Sequence, residues 1–313
     1  MELHSLRIPK QIRKGDTLGI VAPSMPVKEQ ERGAIKEFLE KAGYRVKLGR
    51  TVSELRNFHN YLAGDAKTRA EDVNKMFADP EVDGIICARG GYGSSQVMPY
   101  LDLDMIRENP KVFVGYSDIT NFHSVFNKYC NFVTYHGPMV ISNMLKGFDD
   151  YSASSMEAAL HMETAYEFVN PEEDPMMTVV SGSAKGIMTG GNLTLLSRSV
   201  GTFYEPDTAG KILLIEDIEE SVPSMDMAIT HLEQAGMMKN IAGLLVGNFS
   251  DCSNDRYDSS YTIEKFVRER FADYTVPVIA NVCSAHKRPM GTIPMGMVCT
   301  MDADARTVTF TKE

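Results

Sequence analysis

The sequence predicts an α/β fold whose first half forms a parallel β-sheet and whose second half mixes strand directions. In the first 150 residues, short apolar runs alternate with amphipathic helical patterns, which is typical of strand–helix–strand units. Strands separated by helices are joined by right-handed crossovers and therefore lie parallel. The second half adds further apolar strands and ends in a pattern typical of a hairpin.

The elements of the first half follow in chain order. Residues 16–22, 44–48, 82–88 and 112–115 are predicted strands. A helix is expected from about Val27, and Gly43 would end it as a residue that tolerates the left-handed conformation. Asp65 is a typical N-cap for the next helix, which stops before Pro80. A short helix is also expected near Asp104.

Residues 149–183 change in character, because they are turn-rich and acidic and show no strong periodicity. We therefore expect a division into an N-terminal α/β domain (1–150), an inter-domain segment (151–183) and a C-terminal domain (184–313). In the last of these, the predicted elements are strands at 211–216, 241–246 and 276–280, helices at 224–235 and 263–271, and a hairpin at 296–302 and 307–311.

Composition excludes several classes of protein. The 313 residues include 32 Lys and Arg against 42 Asp and Glu, and a net charge of −10 argues against nucleic-acid partners and anionic membranes. No apolar run is long enough to span a bilayer, and no signal peptide is evident. Five scattered cysteines without a C-x-x-C pair favour reduced thiols in the cytoplasm. The histidine and cysteine spacing gives little support to a metal site, and no cofactor is expected.

The segment Gly115-Tyr116-Ser117-Asp118 follows the apolar strand 112–114. A strand that runs into Gly-x-Ser and then into a helix holds the serine hydroxyl at a sharp turn, which suits a nucleophile that attacks a carbonyl. Serine is also a common helix N-cap at such a place. The local pattern leaves both interpretations of Ser117 open.

A serine nucleophile needs a base and a group that orients the base. His286 is the strongest candidate base, because it follows a predicted strand where open α/β sheets bind ligands, and His136 ranks next. His123 lies too far along the helix behind Ser117. Glu216 ends the apolar run 212–215 and is a candidate orienting carboxylate; a strand end that reaches water is the alternative.

The loop Ala88-Arg-Gly-Gly-Tyr-Gly-Ser-Ser95 is rich in glycine and follows a strand. Its glycines allow close backbone approach and expose N–H groups, which suits an oxyanion or a phosphate. The N–H of Asp118 would be a second oxyanion donor. Arg89 and Tyr92 are candidate substrate-binding residues, although Arg89 equally suits a tie between this loop and a neighbouring helix.

These segments together resemble the LD-carboxypeptidases, serine peptidases with a Ser-Glu-His triad. The matching segments, in the family's order, are Gly15–Ser24, Ala88–Gly93, Val114–Thr120, His136–Pro138, Gly190–Leu193, Leu214–Asp217, His286–Met290 and Pro294–Gly296. The resemblance implies that Ser117 is the nucleophile, His286 the general base and then acid, and Glu216 the orienting group. It further implies an oxyanion hole from the backbone of Gly91 and Asp118.

The resemblance also implies a doubly wound, flavodoxin- or Rossmann-like N-terminal domain and a mixed, partly barrel-like C-terminal domain. It implies a cytoplasmic homodimer that acts in cell-wall recycling and releases a C-terminal D-amino acid from a small muropeptide such as the murein tetrapeptide. A sister branch, the microcin C immunity proteins, cleaves acyl-adenylate analogues and stacks a Trp on the nucleotide. This chain has no Trp, so Tyr151, Tyr166 or Tyr204 would have to replace it. A small-molecule binding protein with Ser117 as a helix cap is the remaining hypothesis.

Overall fold

A computed structural model describes residues 3–312. The strands are β1 Thr17–Val21, β2 Arg45–Leu48, β3 Gly84–Cys87, β4 Val112–Gly115, β5 Thr134–His136, β6 Ala165–Phe168, β7 Met177–Val180, β8 Ser183–Asn192, β9 Ile212–Ile218, β10 Gly243–Ser250, β11 Val278–Val282, β12 Ile293–Met295, β13 Val298–Asp302 and β14 Thr307–Thr311.

The α-helices are α1 Glu29–Lys41, α2 Arg50–Ser53, α3 Ala66–Ala78, α4 Ser94–Val97, α5 Leu103–Glu108, α6 Thr120–Val125, α7 Asp150–His161, α8 Leu193–Ser199, α9 Val222–Gln234 and α10 Ile263–Phe271. Single 3₁₀ turns cover Met98–Tyr100, Ser117–Ile119 and Met144–Lys146, and a π turn at Phe126–Cys130 extends α6. Side chains of Asp65, Asp149, Asn192, Ser221 and Thr262 cap the N-termini of α3, α7, α8, α9 and α10.

The first sheet has six strands in the order β12-β5-β4-β3-β1-β2. Strands β1 to β5 are parallel, and their order is that of a flavodoxin-like doubly wound sheet. The central strands β1, β3 and β4 are buried along their whole length, as a sheet covered on both faces requires. The strand order reverses between β1 and β3, and such a point in a doubly wound sheet opens a crevice for ligands. The predicted N-terminal fold is confirmed.

The second sheet has eight strands in the order β6-β14-β13-β8-β9-β10-β11-β7. Its centre, β8 to β11, is parallel, and antiparallel strands flank it on both sides. The predicted mixed α/β class and the terminal hairpin β13–β14 are confirmed. The sheet stays open, because β6 and β7 at its two ends do not pair with each other in the part of the chain that the structure describes.

Two features of the connections were not visible in the sequence. Residues 151–183 hold most of α7 and the two edge strands β6 and β7 of the second sheet. Strand β12 returns from the second half to pair antiparallel with β5 in the first sheet. The division of the chain at 150 and 183 therefore stays a prediction about folding units.

The two sheets share a hydrophobic core. One buried cluster joins Val114 and Tyr135 of the first sheet to Met188 and Leu214 of the second. This shared packing fixes the carboxyl ends of β4 and β9 relative to each other, since closely packed cores resist deformation. None of the helices in residues 3–312 combines the length and the hydropathy that a membrane span requires.

Candidate active site

Ser117 stands at a strained turn between β4 and a 3₁₀ turn. Its φ angle is 63°, in the left-handed region that a serine seldom adopts, and such strain costs about 1–3 kcal/mol. Tyr116 occupies the N-cap position of the turn, and the Ser117 hydroxyl has no hydrogen bond to any residue in 3–312. A Cβ on Gly115 would lie 2.9 Å from Ile119, so glycine is needed for the turn to be this tight. Ser117 therefore does not cap a helix.

His286 and Glu216 form a buried pair. The His286 Nδ1 atom lies 2.8 Å from Glu216 Oε2, and the Glu216 side chain is fully buried. A carboxylate only accepts hydrogen bonds, so Nδ1 is the protonated donor and Nε2 is left for other partners. The alternative in which Glu216 reaches water is wrong. Gly247 makes room for the carboxylate, because a Cβ there would lie 2.9 Å from the Glu216 Cβ.

The charge of Glu216 changes the acidity of His286. Burial lowers the pKa of His286, but the Glu216 carboxylate raises it through its charge and hydrogen bond, and the net direction is upward. The Tyr116 ring packs edge-on against the imidazole with centroids 4.9 Å apart, which keeps His286 beside the residue that precedes Ser117. Within residues 3–312, Ser117 and His286 are not hydrogen bonded to each other. Such contacts often tighten only when substrate binds.

The lower-ranked histidines are buried structural groups. His123 contacts Thr134 and the carbonyl of Gly115, and burial lowers its pKa to about 4. His136 Nε2 donates to the Ser284 carbonyl at 3.1 Å, its Nδ1 has no hydrogen-bond partner among the described residues, and burial lowers its pKa to about 3. Both stay neutral because the interior disfavours the charged imidazolium. His286 is thus the candidate base that is placed beside a carboxylate near Ser117.

The glycine-rich loop after β3 packs directly on Ser117. A Cβ on Gly90 would lie 3.1 Å from the Ser117 Cβ and 3.5 Å from the Asp118 nitrogen. Gly91 has a φ of 114° and would place a Cβ 2.2 Å from Met25. Because both positions are glycine, the backbone of this loop approaches the serine closely. The structure thus brings the loop with Gly91, Ser117 and the Asp118 amide together.

Two buried charges that the sequence did not reveal hold this loop in place. The Arg69 guanidinium donates to the carbonyls of Gly64, Pro23 and Gly93 at 3.0, 2.6 and 2.7 Å. The Asp118 carboxylate accepts from the Ser24 hydroxyl at 2.5 Å and from the Ser94 amide at 2.8 Å. An arginine in an amphipathic helix pattern is normally exposed, so only the tertiary fold identifies Arg69 as a buried clamp.

Arg89 and Tyr92 differ in how they are held. Arg89 is half-buried, its Nε is buried without a hydrogen-bond partner, and it has no ion pair with another described residue. The described residues give no support to a tie between Arg89 and a neighbouring helix. Tyr92 is largely exposed and contacts Tyr61, with ring centroids 6.1 Å apart.

A large cavity adjoins His286 on the side of the second sheet. Its volume is about 1110 Å³, and its wall includes His286, Asn248, Asn281 and Asp174. Cys283 lies close by, but burial and its contact with Asp174 raise the pKa of its thiol to about 12, so it is not a reactive thiolate. Residues 3–312 contain no cluster of three metal-ligating side chains.

The three tyrosines considered as stacking partners for a nucleotide make contacts within the protein. Tyr166 is buried against Phe310, with ring centroids 5.9 Å apart, and its hydroxyl contacts Ser155 at 2.7 Å. The Tyr151 hydroxyl donates to the Val169 carbonyl at 2.7 Å. Tyr204 packs edge-on against its neighbour Phe203.

The chain matches both halves of a known family. Residues 18–137 match the LD-carboxypeptidase N-terminal domain, and residues 185–301 match the LD-carboxypeptidase C-terminal domain. The chain is 35% identical over 300 residues to a probable murein peptide carboxypeptidase of Bacillus subtilis, covering 96% of this chain and 92% of that protein.

Solved structures show the same fold. The muramoyltetrapeptide carboxypeptidase of Oxalobacter formigenes superposes with a TM-score of 0.80 at 25% identity, covering 94% of this chain and 97% of the other. The microcin C7 self-immunity protein in complex with glutamyl sulfamoyl guanosine superposes with a TM-score of 0.86 at 24% identity, covering 98% of each chain. The two domain matches and the full-length similarity show that the chain belongs to the LD-carboxypeptidase family.

Proposed function

We propose that this protein hydrolyses the amide bond between an L-configured centre and a C-terminal D-amino acid, with a murein tetrapeptide as substrate and D-alanine as the released product. The observation on which the proposal rests is the strained Ser117 beside the buried His286–Glu216 pair. The names of the Bacillus and Oxalobacter proteins support a murein peptide as the substrate class.

The residues of this site suit acyl transfer through a covalent intermediate. The Ser117 oxygen attacks the carbonyl carbon while His286 Nε2 removes the hydroxyl proton. When the C–N bond breaks, His286 returns that proton to the leaving amine. Water then hydrolyses the ester in the same way and frees Ser117. Glu216 holds the imidazole in the required tautomer and stabilises its charged form.

The oxyanion that forms in each step needs aimed donors. We assign this role to the backbone N–H groups of Gly91 and Asp118, because the glycine loop packs on Ser117 without side chains. One such donor contributes about 3–4 kcal/mol to transition-state stabilisation. The clamps formed by Arg69 and the Asp118 carboxylate keep these donors fixed before substrate arrives.

An exopeptidase must also recognise a free carboxylate. Arg89 lies in the loop after β3 and immediately precedes Gly90. Its guanidinium has no ion-pair partner among the described residues. A half-buried cation without a counter-ion is suited to an anionic ligand, and a planar guanidinium pairs with a carboxylate through two hydrogen bonds. We assign Arg89 to the C-terminal carboxylate of the substrate and Tyr92 to the rim of the same subsite.

The test is a kinetic comparison of the parent protein with Ser117→Ala and with Ser53→Ala, a control at an exposed serine. Release of D-alanine from the tetrapeptide, followed by mass spectrometry, should fall by about 10⁵- to 10⁶-fold in Ser117→Ala and stay unchanged in Ser53→Ala. Equal turnover by Ser117→Ala would refute the proposal.

Acyl-adenylate hydrolysis is the second candidate function. The size of the cavity beside His286 favours it, because about 1110 Å³ exceeds the volume that a released D-amino acid needs. The chain has no Trp, and the hydroxyls of Tyr151 and Tyr166 are already hydrogen bonded within the protein. Both observations argue against a stacked nucleotide. A glutamyl sulfamoyl nucleoside added to the same assay would reveal this activity by release of glutamate.

We further propose that the protein is a homodimer and acts in the cytoplasm during cell-wall recycling. The five free, buried cysteines support a reducing compartment. Size-exclusion chromatography coupled to light scattering should give twice the chain mass of 34.8 kDa. Cell fractionation should recover the protein together with cytoplasmic markers.

A further inference from the structure

A chain of side-chain hydrogen bonds crosses the wall of the cavity beside His286. Asn248 Nδ2 donates to Asn281 Oδ1 at 2.8 Å, and Asn281 Nδ2 donates to Asp174 Oδ1 at 2.7 Å. Asn281 has a φ of 58°, which asparagine tolerates better than most residues. Asp174 also accepts from Lys287, the residue after His286.

The carboxylate at one end fixes the orientation of both amides. Asp174 pairs with Lys287 and is therefore ionised, so it only accepts hydrogen bonds and Asn281 must present its NH₂ group to it. The Asn281 oxygen then faces Asn248, which must in turn present its own NH₂ group. The Asn248 oxygen is left pointing away from the chain of hydrogen bonds, as a hydrogen-bond acceptor.

That acceptor has no partner in the described part of the chain. Asn248 is only 8% exposed, and its Oδ1 is buried without a hydrogen bond. A buried polar atom of this kind destabilises the folded protein unless a ligand or water satisfies it. Ser250, two residues further along β10, also lines the cavity with a buried hydroxyl that lacks a partner. Asn248 and Ser250 both line the cavity whose wall includes His286.

The size of the cavity indicates which part of a substrate it receives. A released D-amino acid would fill only a small share of about 1110 Å³, whereas the remaining peptide of the acyl half fills much more. The carboxylate of the released residue is assigned to Arg89, on the side of the first sheet. The acyl half is then the part that extends into the cavity.

We propose that Asn248 selects the acyl half of the substrate by accepting a hydrogen bond from an N–H group of the peptide bound in this cavity. The inference rests on the proposed function, because it takes a peptide acyl group as the ligand. The donor is either a peptide N–H or an amine on the side chain of the residue before the scissile bond. Asp174 and Asn281 act as positioning residues that keep the Asn248 oxygen turned toward the ligand.

The test uses Asn248→Leu, which removes the acceptor at similar volume, and Asn248→Asp, which keeps it. Asn240→Leu, at an exposed position in the turn after α9, is the matched control. The substrates are two tetrapeptides that end in D-alanine and differ only in L-lysine or L-norleucine before it. Thermal unfolding verifies that each variant is folded.

Asn248→Leu should lower kcat/KM on the lysine peptide about five- to tenfold, the effect of one hydrogen bond, and Asn240→Leu should not. If the donor is the lysine amine, Asn248→Leu does not lower kcat/KM on the norleucine peptide, and Asn248→Asp keeps the activity on the lysine peptide. If the donor is a peptide N–H, Asn248→Leu lowers kcat/KM equally on both peptides, and Asn248→Asp restores only part of the lost kcat/KM. Either pattern supports the proposal.

The same peptides are titrated calorimetrically into Ser117→Ala with and without Asn248→Leu. This arm measures binding without turnover, so it separates the role of Asn248 from the proposed hydrolysis. We expect five- to tenfold weaker binding with the second substitution, even if the parent proves to cleave another bond. Unchanged binding and kcat/KM would overturn the proposal. The proposal would also be overturned if Asn248→Leu changed only the selectivity for the released C-terminal residue.

Discussion

At the scale of single residues, the pairing of Glu216 with His286 decides the pH dependence. The kcat/KM of the parent should rise with pH as His286 loses its proton, with a midpoint above the ordinary histidine value of 6.5 because Glu216 stabilises the imidazolium. Glu216→Gln removes that charge, so the midpoint should move to lower pH. The rate should also fall by about 10⁴-fold, because the amide no longer fixes the tautomer.

The measurement is a pH–rate profile of the parent, Glu216→Gln and Glu219→Gln. Glu219 is an exposed carboxylate three residues further along the chain and serves as the control. Its substitution should lower the midpoint only slightly, since solvent screens its charge. An unchanged midpoint in Glu216→Gln would contradict the role assigned to the pair.

Arg89 should control the requirement for a free carboxylate. Arg89→Met keeps most of the side-chain length but removes the charge, so kcat/KM on the free-acid peptide should fall about 10- to 100-fold. The same peptide with a C-terminal amide should react equally slowly with both proteins. Arg13→Met, at an exposed arginine, is the control. Retained preference for the acid by Arg89→Met would show that another group binds the carboxylate.

At the scale of elements, close backbone contacts set which glycines are indispensable. Gly190 in β8 has a φ of 113°, and a Cβ there would lie 2.1 Å from the Leu214 carbonyl of the neighbouring strand. Gly190→Ala should lower the free energy of unfolding by about 3 kcal/mol or more, because backbone must move.

Gly33 provides the matched contrast. It lies inside α1 with open space around it, so Gly33→Ala should raise the free energy of unfolding by about 0.5–1 kcal/mol through helix propensity. Urea unfolding followed by circular dichroism measures both variants. Equal effects of the two substitutions would mean that the contact at Gly190 does not limit stability.

Elements with strong local patterns could be predicted from the sequence. The predicted strand at 112–115 and the helix at 263–271 match β4 and α10 residue for residue. Helix α7 was missed because its apolar face is weakly defined, although Asp149 accepts from the Ser152 amide as an ordinary N-cap. The pairing of β12 with β5 was missed because it joins residues far apart in the chain.

The same distinction applies to the site. Ser117, Glu216 and His286 could be proposed from the sequence because each lies at or just beyond the end of a strand that the sequence predicts, where ligands bind in α/β sheets. Arg69, Asn248 and Asn281 were missed, because their roles depend on burial and on partners in other elements. Amide orientation in particular has no signature in a single sequence.

At the scale of the whole molecule, late residues of the chain tie its two halves together. Arg288 contacts the Ser142 carbonyl at 3.3 Å, and the amides of Met290 and Thr292 donate to Ser152 and Ser155 at 2.8 and 3.0 Å. Together with β12 in the first sheet, these bonds link the loop of His286 to the half that contains Ser117.

We therefore expect the two halves to unfold together. Near-ultraviolet and far-ultraviolet circular dichroism should give coincident urea transitions, which is the test of a single cooperative unit. Residues 1–150 expressed alone lack β12 and the shared core, and should not give a cooperative transition. Two well-separated transitions in the full chain would instead favour the independent domains that the sequence predicts.

Trapping the acyl-enzyme would identify the residue that attacks the substrate. The parent protein is mixed with the tetrapeptide, quenched in acid within one turnover, digested and examined by mass spectrometry. We predict that the acyl group is found on the peptide that contains Ser117, and that this adduct is absent from Ser117→Ala. Full hydrolysis by the parent with no adduct there, or with the acyl group on another residue, would contradict the assignment of Ser117 as the nucleophile.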